Sequence, residues 1–132
     1  MKLFIRIFAV SLVSLSMLTT ASFAGDPASS NRAAMLHDLL NMAARAQRHY
    51  QLPRNRGGGG GSFTSSMGGV GISSISQLTI RPITSNGTYT LGTVSRTSVV
   101  LTGTGVAIGA DGSYVEIRLS VFRDSVFISY SN

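Results

Sequence analysis

Apolar residues between positions 31 and 52 recur every three or four residues, which is the period of one face of an α-helix. This stripe consists of Leu36, Leu39, Leu40, Ala43, Ala46 or Gln47, and Tyr50. Because Pro27 disfavours a helix that runs through it, we predict a helix over residues 31–52, capped by Ser29 or Ser30 and ended by Pro53. An isolated helix of about 20 residues is marginal in water, so its apolar stripe needs a surface to cover.

From residue 74 onward, apolar and polar residues alternate, as is typical of β-strands. Strands are predicted over residues 74–81, 88–94, 98–108, 114–123 and 125–130. Turn residues separate the later strands, namely Asn86-Gly87, Asp111-Gly112 and Arg123-Asp124-Ser125. Since the connections are short, neighbouring strands pair antiparallel. The sequence therefore predicts an α+β fold in which one long N-terminal helix packs on a four- to five-stranded antiparallel sheet.

A glycine-rich stretch lies between the predicted helix and the sheet. Residues 57–61 are five consecutive glycines, Ser62 and Phe63 follow, and mostly small residues continue to Gly71. Five glycines cannot support a regular element at low cost, so we expect a loop or flexible linker. A phosphate-binding loop is not indicated, because no Lys-Ser or Lys-Thr follows and a helix stands where a strand is required.

The first 24 residues have the pattern of a secretory signal peptide. Lys2 and Arg6 form a basic start, residues 7–18 are uncharged and mostly apolar, and Ser22-Phe23-Ala24 precede a predicted cut at Gly25. A helix over residues 7–18 would span about 18 Å, less than the roughly 30 Å of bilayer hydrocarbon. We therefore predict cleavage, and membrane attachment only if the segment is retained. The protein is then predicted to be secreted or periplasmic.

The same features divide the chain into four segments. These are the signal peptide (1–24), the lead-in and amphipathic helix (25–53), the Gly-rich loop (54–71) and the antiparallel sheet (72–132). Residues 25–132 are predicted to form a single domain, since a chain of that length supports one modest core and not two.

Charge and composition narrow the classes of function. The chain has no cysteine, which excludes disulfides, a thiol nucleophile and cysteine metal sites. The formal net charge is +6, and loss of Lys2 and Arg6 with the leader leaves +4, with arginine as the only basic residue type. Arg45, Arg48, Arg54 and Arg56 cluster near the predicted helix end and are candidate contacts to an acidic polymer or surface. The alternative interpretation is ordinary solubility charge.

No set of residues converges on a catalytic or metal-binding pattern. His37 and His49 are 12 residues apart and do not share a helix face. No Gly-x-Ser-x-Gly motif occurs, and the acidic residues are scattered along the chain. Glu116 and Arg118 alternate on one strand face, which favours a solvent-facing pair over an acid catalyst. The sequence therefore predicts no catalytic residue, no metal site, no cofactor, no specific nucleic-acid partner and no enzymatic activity.

The segment from the helix end onward resembles a known family. Residues 39–50 (LLNMAARAQRHY) are followed by Pro53, the glycines 57–61, Ser62-Phe63 and Asn86-Gly87-Thr88-Tyr89. The series is similar to bacterial type IV pilin-like and type II secretion pseudopilin-like proteins, over roughly residues 35–130. The resemblance implies a pilin-head-like fold, with an N-terminal helix, a glycine-rich loop and an antiparallel sheet. It also implies a structural or interaction role with a protein partner in the cell envelope.

The N-terminus departs from the pilin pattern. Pilins carry a short basic leader that ends in Gly, and their apolar helix follows the cut, with Phe first and Glu a few residues later. Here the apolar segment precedes Gly25, and Asp26-Pro27 follows it. A cleaved chain would keep the head without the hydrophobic half-helix that packs pilin filaments. We therefore expect a soluble component of a secretion or surface-filament system, with an Arg-rich module for acidic polymers or surfaces as the alternative.

Overall fold

The computed structural model describes residues 4–7 and 26–131, with side chains over residues 26–130. Helix α1 spans Pro27–Gln51 and begins four residues before the predicted start. The Asp26 carboxylate caps it, accepting hydrogen bonds from the amides of Ala28 (3.1 Å) and Ser29 (3.4 Å). The predicted start and the predicted serine cap were wrong because proline is compatible with the first turn, where no amide donor is needed.

One antiparallel sheet contains every strand of the described residues. The strands are β1 (Phe4–Ile7), β2 (Ile83–Thr84), β3 (Gly87–Val94), β4 (Ser98–Ile108), β5 (Tyr114–Phe122) and β6 (Val126–Ser131). Their order across the sheet is β1-β6-β5-β4-β3-β2. Strands β2 to β6 are joined by successive hairpins, as their short connections predict. The predicted fold class, a long helix on an antiparallel sheet, is confirmed.

The segment predicted as a first strand, residues 74–81, is not a strand. It contains a short 3₁₀ helix, Ile75–Gln77, closed by a capping box between Ser74 and Gln77. The Gln77 side-chain oxygen accepts hydrogen bonds from the amides of Ser73 (2.7 Å) and Ser74 (2.9 Å). These local side-chain bonds compete with strand pairing, so the alternating pattern was misleading here. Only Ile83–Thr84 joins the sheet ahead of β3.

The turns between strands follow the predicted residues closely. Ser85 and Asn86 form the turn before β3, one residue earlier than predicted, and Gly87 begins the strand. Asp111 shapes the turn between β4 and β5 by accepting a hydrogen bond from the Ser113 amide (2.9 Å). Arg123 and Asp124 form the last turn, between β5 and β6. The Asp111 and Asp124 turns therefore lie where the sequence predicts them.

The core lies between α1 and the central strands β4 and β5. Its helix side is formed by the predicted apolar stripe together with Met35 and Met42. Two glycines of β4 let the helix approach closely. A Cβ atom at Gly103 would lie 3.1 Å from Leu39 Cδ1, and one at Gly105 would lie 2.1 Å from Asn31 Oδ1. The helix therefore sits almost against the backbone of β4.

Strand β1 belongs to the segment predicted as a signal peptide. It pairs antiparallel with β6, with Phe4 opposite Ser129 and Ile7 opposite Val126. The other residues of that segment, 1–3 and 8–24, and the predicted cut before Gly25 lie outside the described residues. The pairing covers the lateral edge of β6.

Candidate functional site

The glycine-rich loop folds back over the C-terminal end of α1. Its amides donate hydrogen bonds to helix-end carbonyls: Gly59 to His49 (2.8 Å), Gly60 to Leu52 (3.0 Å) and Gly61 to Tyr50 (2.8 Å). The last carbonyls of a helix have no partner within it, so these bonds satisfy groups that would otherwise need water. The stretch is a loop, as predicted, but its last three glycines are bonded to the helix end, so it is not a free linker.

Two glycines of this loop have no room for a side chain. A Cβ atom at Gly58 would lie 2.1 Å from the Leu52 carbonyl oxygen, and one at Gly59 would lie 2.0 Å from the Ser62 carbonyl oxygen. Both neighbours are backbone atoms, which cannot move without disturbing the helix end. Gly57, by contrast, has a left-handed backbone with φ of 82° and open space around it. Gly58 and Gly59 are therefore required for lack of space, whereas alanine at Gly57 costs only the left-handed backbone.

Phe63 anchors the far end of the loop in the core. Its side chain is fully buried, and its ring centroid lies 4.8 Å from that of Tyr50 on the last helical turn. The Phe63 amide donates to the Arg96 carbonyl (3.0 Å) in the β3–β4 turn. The Ser62-Phe63 pair that follows the glycines thus ties the helix end to the sheet.

Arg54, predicted as an anion contact, is part of this loop structure. Its guanidinium Nη1 donates to the Met67 carbonyl (2.7 Å). Its aliphatic stem lies beneath the loop, since a Cβ atom at Gly60 would be 2.5 Å from Arg54 Cγ. The side chain nevertheless remains exposed. Arg54 therefore bridges the two ends of the glycine-rich segment.

Arg45 lies on the other side of the helix, beside a cavity of about 250 Å³. Its guanidinium makes a long contact of 3.4 Å to the Leu78 carbonyl. Asp38, Arg81 and Tyr89 also line this cavity. Arg45 therefore faces a mixed-charge depression between α1 and the 78–84 segment, separate from the Arg54 contacts.

Arg48 and Arg56 are both exposed. Within residues 26–131 the ion pairs are Arg118 with Glu116 (3.7 Å) and Arg123 with Asp124 (3.9 Å), so neither Arg48 nor Arg56 has an acidic partner there. The first of these pairs is the solvent-facing one predicted from strand alternation. All four predicted arginines are exposed, but Arg45 and Arg54 donate to backbone carbonyls, whereas Arg48 and Arg56 have no side-chain hydrogen bond or ion pair within the described residues.

A polar network that sequence reasoning missed fixes the helix to the sheet. The register of β4 and β5 shifts between Thr104 and Ile108. At this irregularity the Asn31 side-chain oxygen accepts hydrogen bonds from the amides of Val106 (2.9 Å) and Ala107 (3.1 Å). The Asn31 Nδ2 group donates to the Asn86 carbonyl (2.7 Å). A lone asparagine in a helical pattern gives no sequence signal for this role.

Asp38 is the second member of this network. Its carboxylate accepts hydrogen bonds from the Tyr89 hydroxyl and from Asn86 Nδ2 (3.1 Å). Burial of the Tyr89 ring is the main cause that raises the pKa of its hydroxyl, and the Asp38 hydrogen bond and negative charge add to it. The Asp38 carboxylate is therefore held by structural partners at the cavity rim.

The raised pKa of Tyr89 predicts how stability changes at alkaline pH. The folded protein keeps the phenol proton where the unfolded chain, with an ordinary pKa near 10, loses it. This contribution is therefore complete below about pH 10 and is lost as pH rises toward the folded-state pKa. We expect Tyr89→Phe to flatten the loss of unfolding free energy as the pH rises above about 10, measured by urea titration. Tyr114→Phe, at an exposed site, is the control, and equal slopes for both variants would refute the assignment.

The two histidines are separated, as their spacing predicts. His37 is exposed on α1, whereas His49 Nε2 lies 2.5 Å from the Val70 carbonyl oxygen. Because a carbonyl can only accept, Nε2 of His49 carries a proton and donates this bond. No group of three or more metal-binding side chains occurs among the described residues. Nor is there, in that part of the chain, a helix with the length and apolar character needed to cross a membrane.

Comparison with protein-family models, with curated proteins and with solved structures finds no match to this chain. The site is therefore interpreted from its own geometry.

Proposed function

We propose that this chain is an exported, non-enzymatic structural or interaction protein, similar to a pilin or pseudopilin head, that serves a secretion or surface-filament system as a soluble component. The observation that carries the proposal is the order of its parts. A long helix, Pro27–Gln51, is closed by a glycine-rich loop and lies on an antiparallel sheet. This is the arrangement that the family resemblance implies.

The use of the polar side chains supports a structural role. The Asp38 carboxylate is taken up by Tyr89 and Asn86, and His49 is bonded to the Val70 carbonyl. Glu116 faces Arg118 at the surface. A general acid or base must be able to reach a proton of the substrate. Asp38 and His49 instead form hydrogen bonds that hold the helix, the loop and the sheet together.

An interaction role is tested by reversible cross-linking in the native envelope at native expression, followed by purification of the protein and identification of its partner by mass spectrometry. We expect one defined envelope protein to be recovered with the wild type and with Gly57→Ala, which leaves the loop room to form. Gly58→Ala, which disturbs the helix end, should lose it. Recovery of no protein partner would count decisively against the proposal.

The unpaired arginines favour a second candidate function, binding of an acidic polymer or surface. Arg48 and Arg56 are exposed and have no acidic partner within residues 26–131, and Arg54 lies between them along the chain. Positive charge concentrated at one end of the helix attracts a polyanion at low ionic strength. This candidate needs no protein partner.

Long-chain polyphosphate is a suitable probe for this second function. We expect binding at low salt that weakens steeply as salt is added, because added ions screen exposed charges. The Arg48→Ala/Arg56→Ala variant should lower the affinity by about ten-fold, as expected for loss of two exposed contacts. Arg118→Ala/Arg123→Ala removes the same number of charges elsewhere and should have the smaller effect. Absence of binding at low salt would eliminate the polymer-binding function.

A further inference from the structure

The β6 strand lies at a lateral edge of the sheet that is formed by residues 83–131. In the full chain β1 covers this edge over four residues, Phe4–Ile7. The proposed function removes β1 together with the signal peptide. The backbone of β6 would then face solvent as an unpaired edge, which is a template for strand pairing.

The main-chain groups of β6 can be assigned from the hairpin geometry. The Phe122 amide donates to the Ser125 carbonyl (2.8 Å), so hydrogen-bonded pairs with β5 fall at alternate positions, including Phe127 and Ser129. The backbone groups of Val126 and Ile128 therefore point away from β5. These are the positions opposite Ile7 and Ile5 of β1.

The side-chain pattern of β6 shows what kind of strand fits there. Val126 and Ile128 are 1% and 0% exposed on the helix side, whereas Phe127 lies on the outer face. The register places positions 5 and 7 of β1 on the helix side as well. A fitting strand thus has apolar residues at alternate positions on that side. β6 itself has this pattern, in Val126, Ile128 and Tyr130.

We propose that, once residues 1–24 are removed, two copies of the chain pair antiparallel through β6 and form one continuous sheet across a twofold axis. The inference rests on the proposed function, because export supplies the removal of β1. A twofold axis at Ile128 or Ser129 brings the Val126, Ile128 and Tyr130 positions of both copies to the helix side. The β6 strand of the second copy then takes the place of β1, with apolar residues at the same alternate positions. The β6 edges of both copies are covered in one contact.

The oligomeric state of the chain that starts at Gly25 tests this directly. Among residues 26–130, whose side chains the structure describes, the buried core runs from Met35 to Ile128, and the chain from Gly25 contains all of it. We expect a concentration-dependent dimer in sedimentation equilibrium, whereas the full chain, with the edge covered, does not form it. A synthetic peptide of residues 2–8, KLFIRIF, added in excess should convert the dimer to a monomer with bound peptide.

Lysine substitutions on the outer face of β6 locate the interface. Phe127→Lys/Ser129→Lys places like charges from the two copies opposite one another on the outer face, and should weaken the dimer by about ten-fold or more. Thr88→Lys/Thr90→Lys adds the same charge to exposed positions of the same outer face on β3, toward the opposite edge of the sheet, and should leave the dimer intact. Thermal unfolding of each variant confirms that it is folded.

Two results would overturn the pairing. One is a processed chain that remains monomeric at every concentration. The other is a dimer that resists the β6 variant and the peptide, which would place the interface elsewhere. Both are independent of export, since the chain is produced from Gly25. An intact Met1 in the native protein would overturn export and leave the measured pairing unchanged.

Discussion

Gly58→Ala is expected to destabilise the protein by about 3 kcal/mol or more, the upper end of the cost of forcing extra atoms into a filled space. The new Cβ atom would lie 2.1 Å from the Leu52 carbonyl oxygen and 2.4 Å from the Leu52 Cβ atom. Relief of this overlap requires the loop to leave the helix end, which also breaks the Gly59 and Gly60 hydrogen bonds to the helix carbonyls. Urea unfolding monitored by circular dichroism measures the change.

Gly57→Ala is the matched control for this prediction. Gly57 precedes Gly58 directly, and a Cβ atom there meets no atom of the described residues within 4 Å. Its φ of 82° means that alanine pays only for a left-handed backbone, about 1 kcal/mol. If the two variants are equally stable, the loop does not cap the helix as described.

The second large effect is expected for Asn31→Ala. Its side chain serves the backbone amides of Val106 and Ala107 and the Asn86 carbonyl, and the residue is only 9% exposed. Alanine would remove the side-chain partner of these three partly buried backbone groups. We expect a loss of roughly 3 to 5 kcal/mol in the free energy of unfolding.

Hydrogen exchange gives a local measure of the same change. The amides of Val106 and Ala107 lie at the register shift between β4 and β5, where they donate to the Asn31 side chain. They should therefore exchange faster in Asn31→Ala. Asn41→Ala, at an exposed position of the same helix, should change stability by less than about 0.5 kcal/mol. Unchanged exchange at Val106 and Ala107 would show that Asn31 is not their partner.

Hydrophobic periodicity predicted the large elements well. The three- and four-residue spacing of Leu36, Leu39 and Leu40 reports burial on one helix face, and these residues are buried in the structure. Alternation in β4 and β5 likewise reports the buried side of the sheet. Periodicity succeeds in these elements because the helix and the central strands each bury one continuous face.

The segments where side chains bond to the backbone were not predictable in this way. Ser74 and Gln77 close a capped 3₁₀ turn over Ile75–Gln77, within the alternating segment 74–81. Asp26 starts α1 ahead of Pro27, where serine capping was expected. In both segments local side-chain hydrogen bonds decide the structure, and the burial pattern carries no information about them.

The candidate site was predictable only in part. A loop was expected at residues 57–61, but its bonds to the helix end depend on where the chain returns in three dimensions. Sequence spacing likewise could not tell which arginines would have partners. Arg54 donates a hydrogen bond to the Met67 carbonyl, whereas Arg48 and Arg56 are exposed without such a contact in the described residues. The network of Asn31, Asp38 and Tyr89 joins residues more than 50 positions apart, which spacing cannot reveal.

The mature N-terminus of the native protein is the most direct test of the account. Intact-mass measurement and N-terminal sequencing of protein from the soluble envelope or extracellular fraction should give a chain that begins at Gly25. That result fits an exported head released from its leader. An intact Met1, in the cytoplasm or held in membranes, would contradict it.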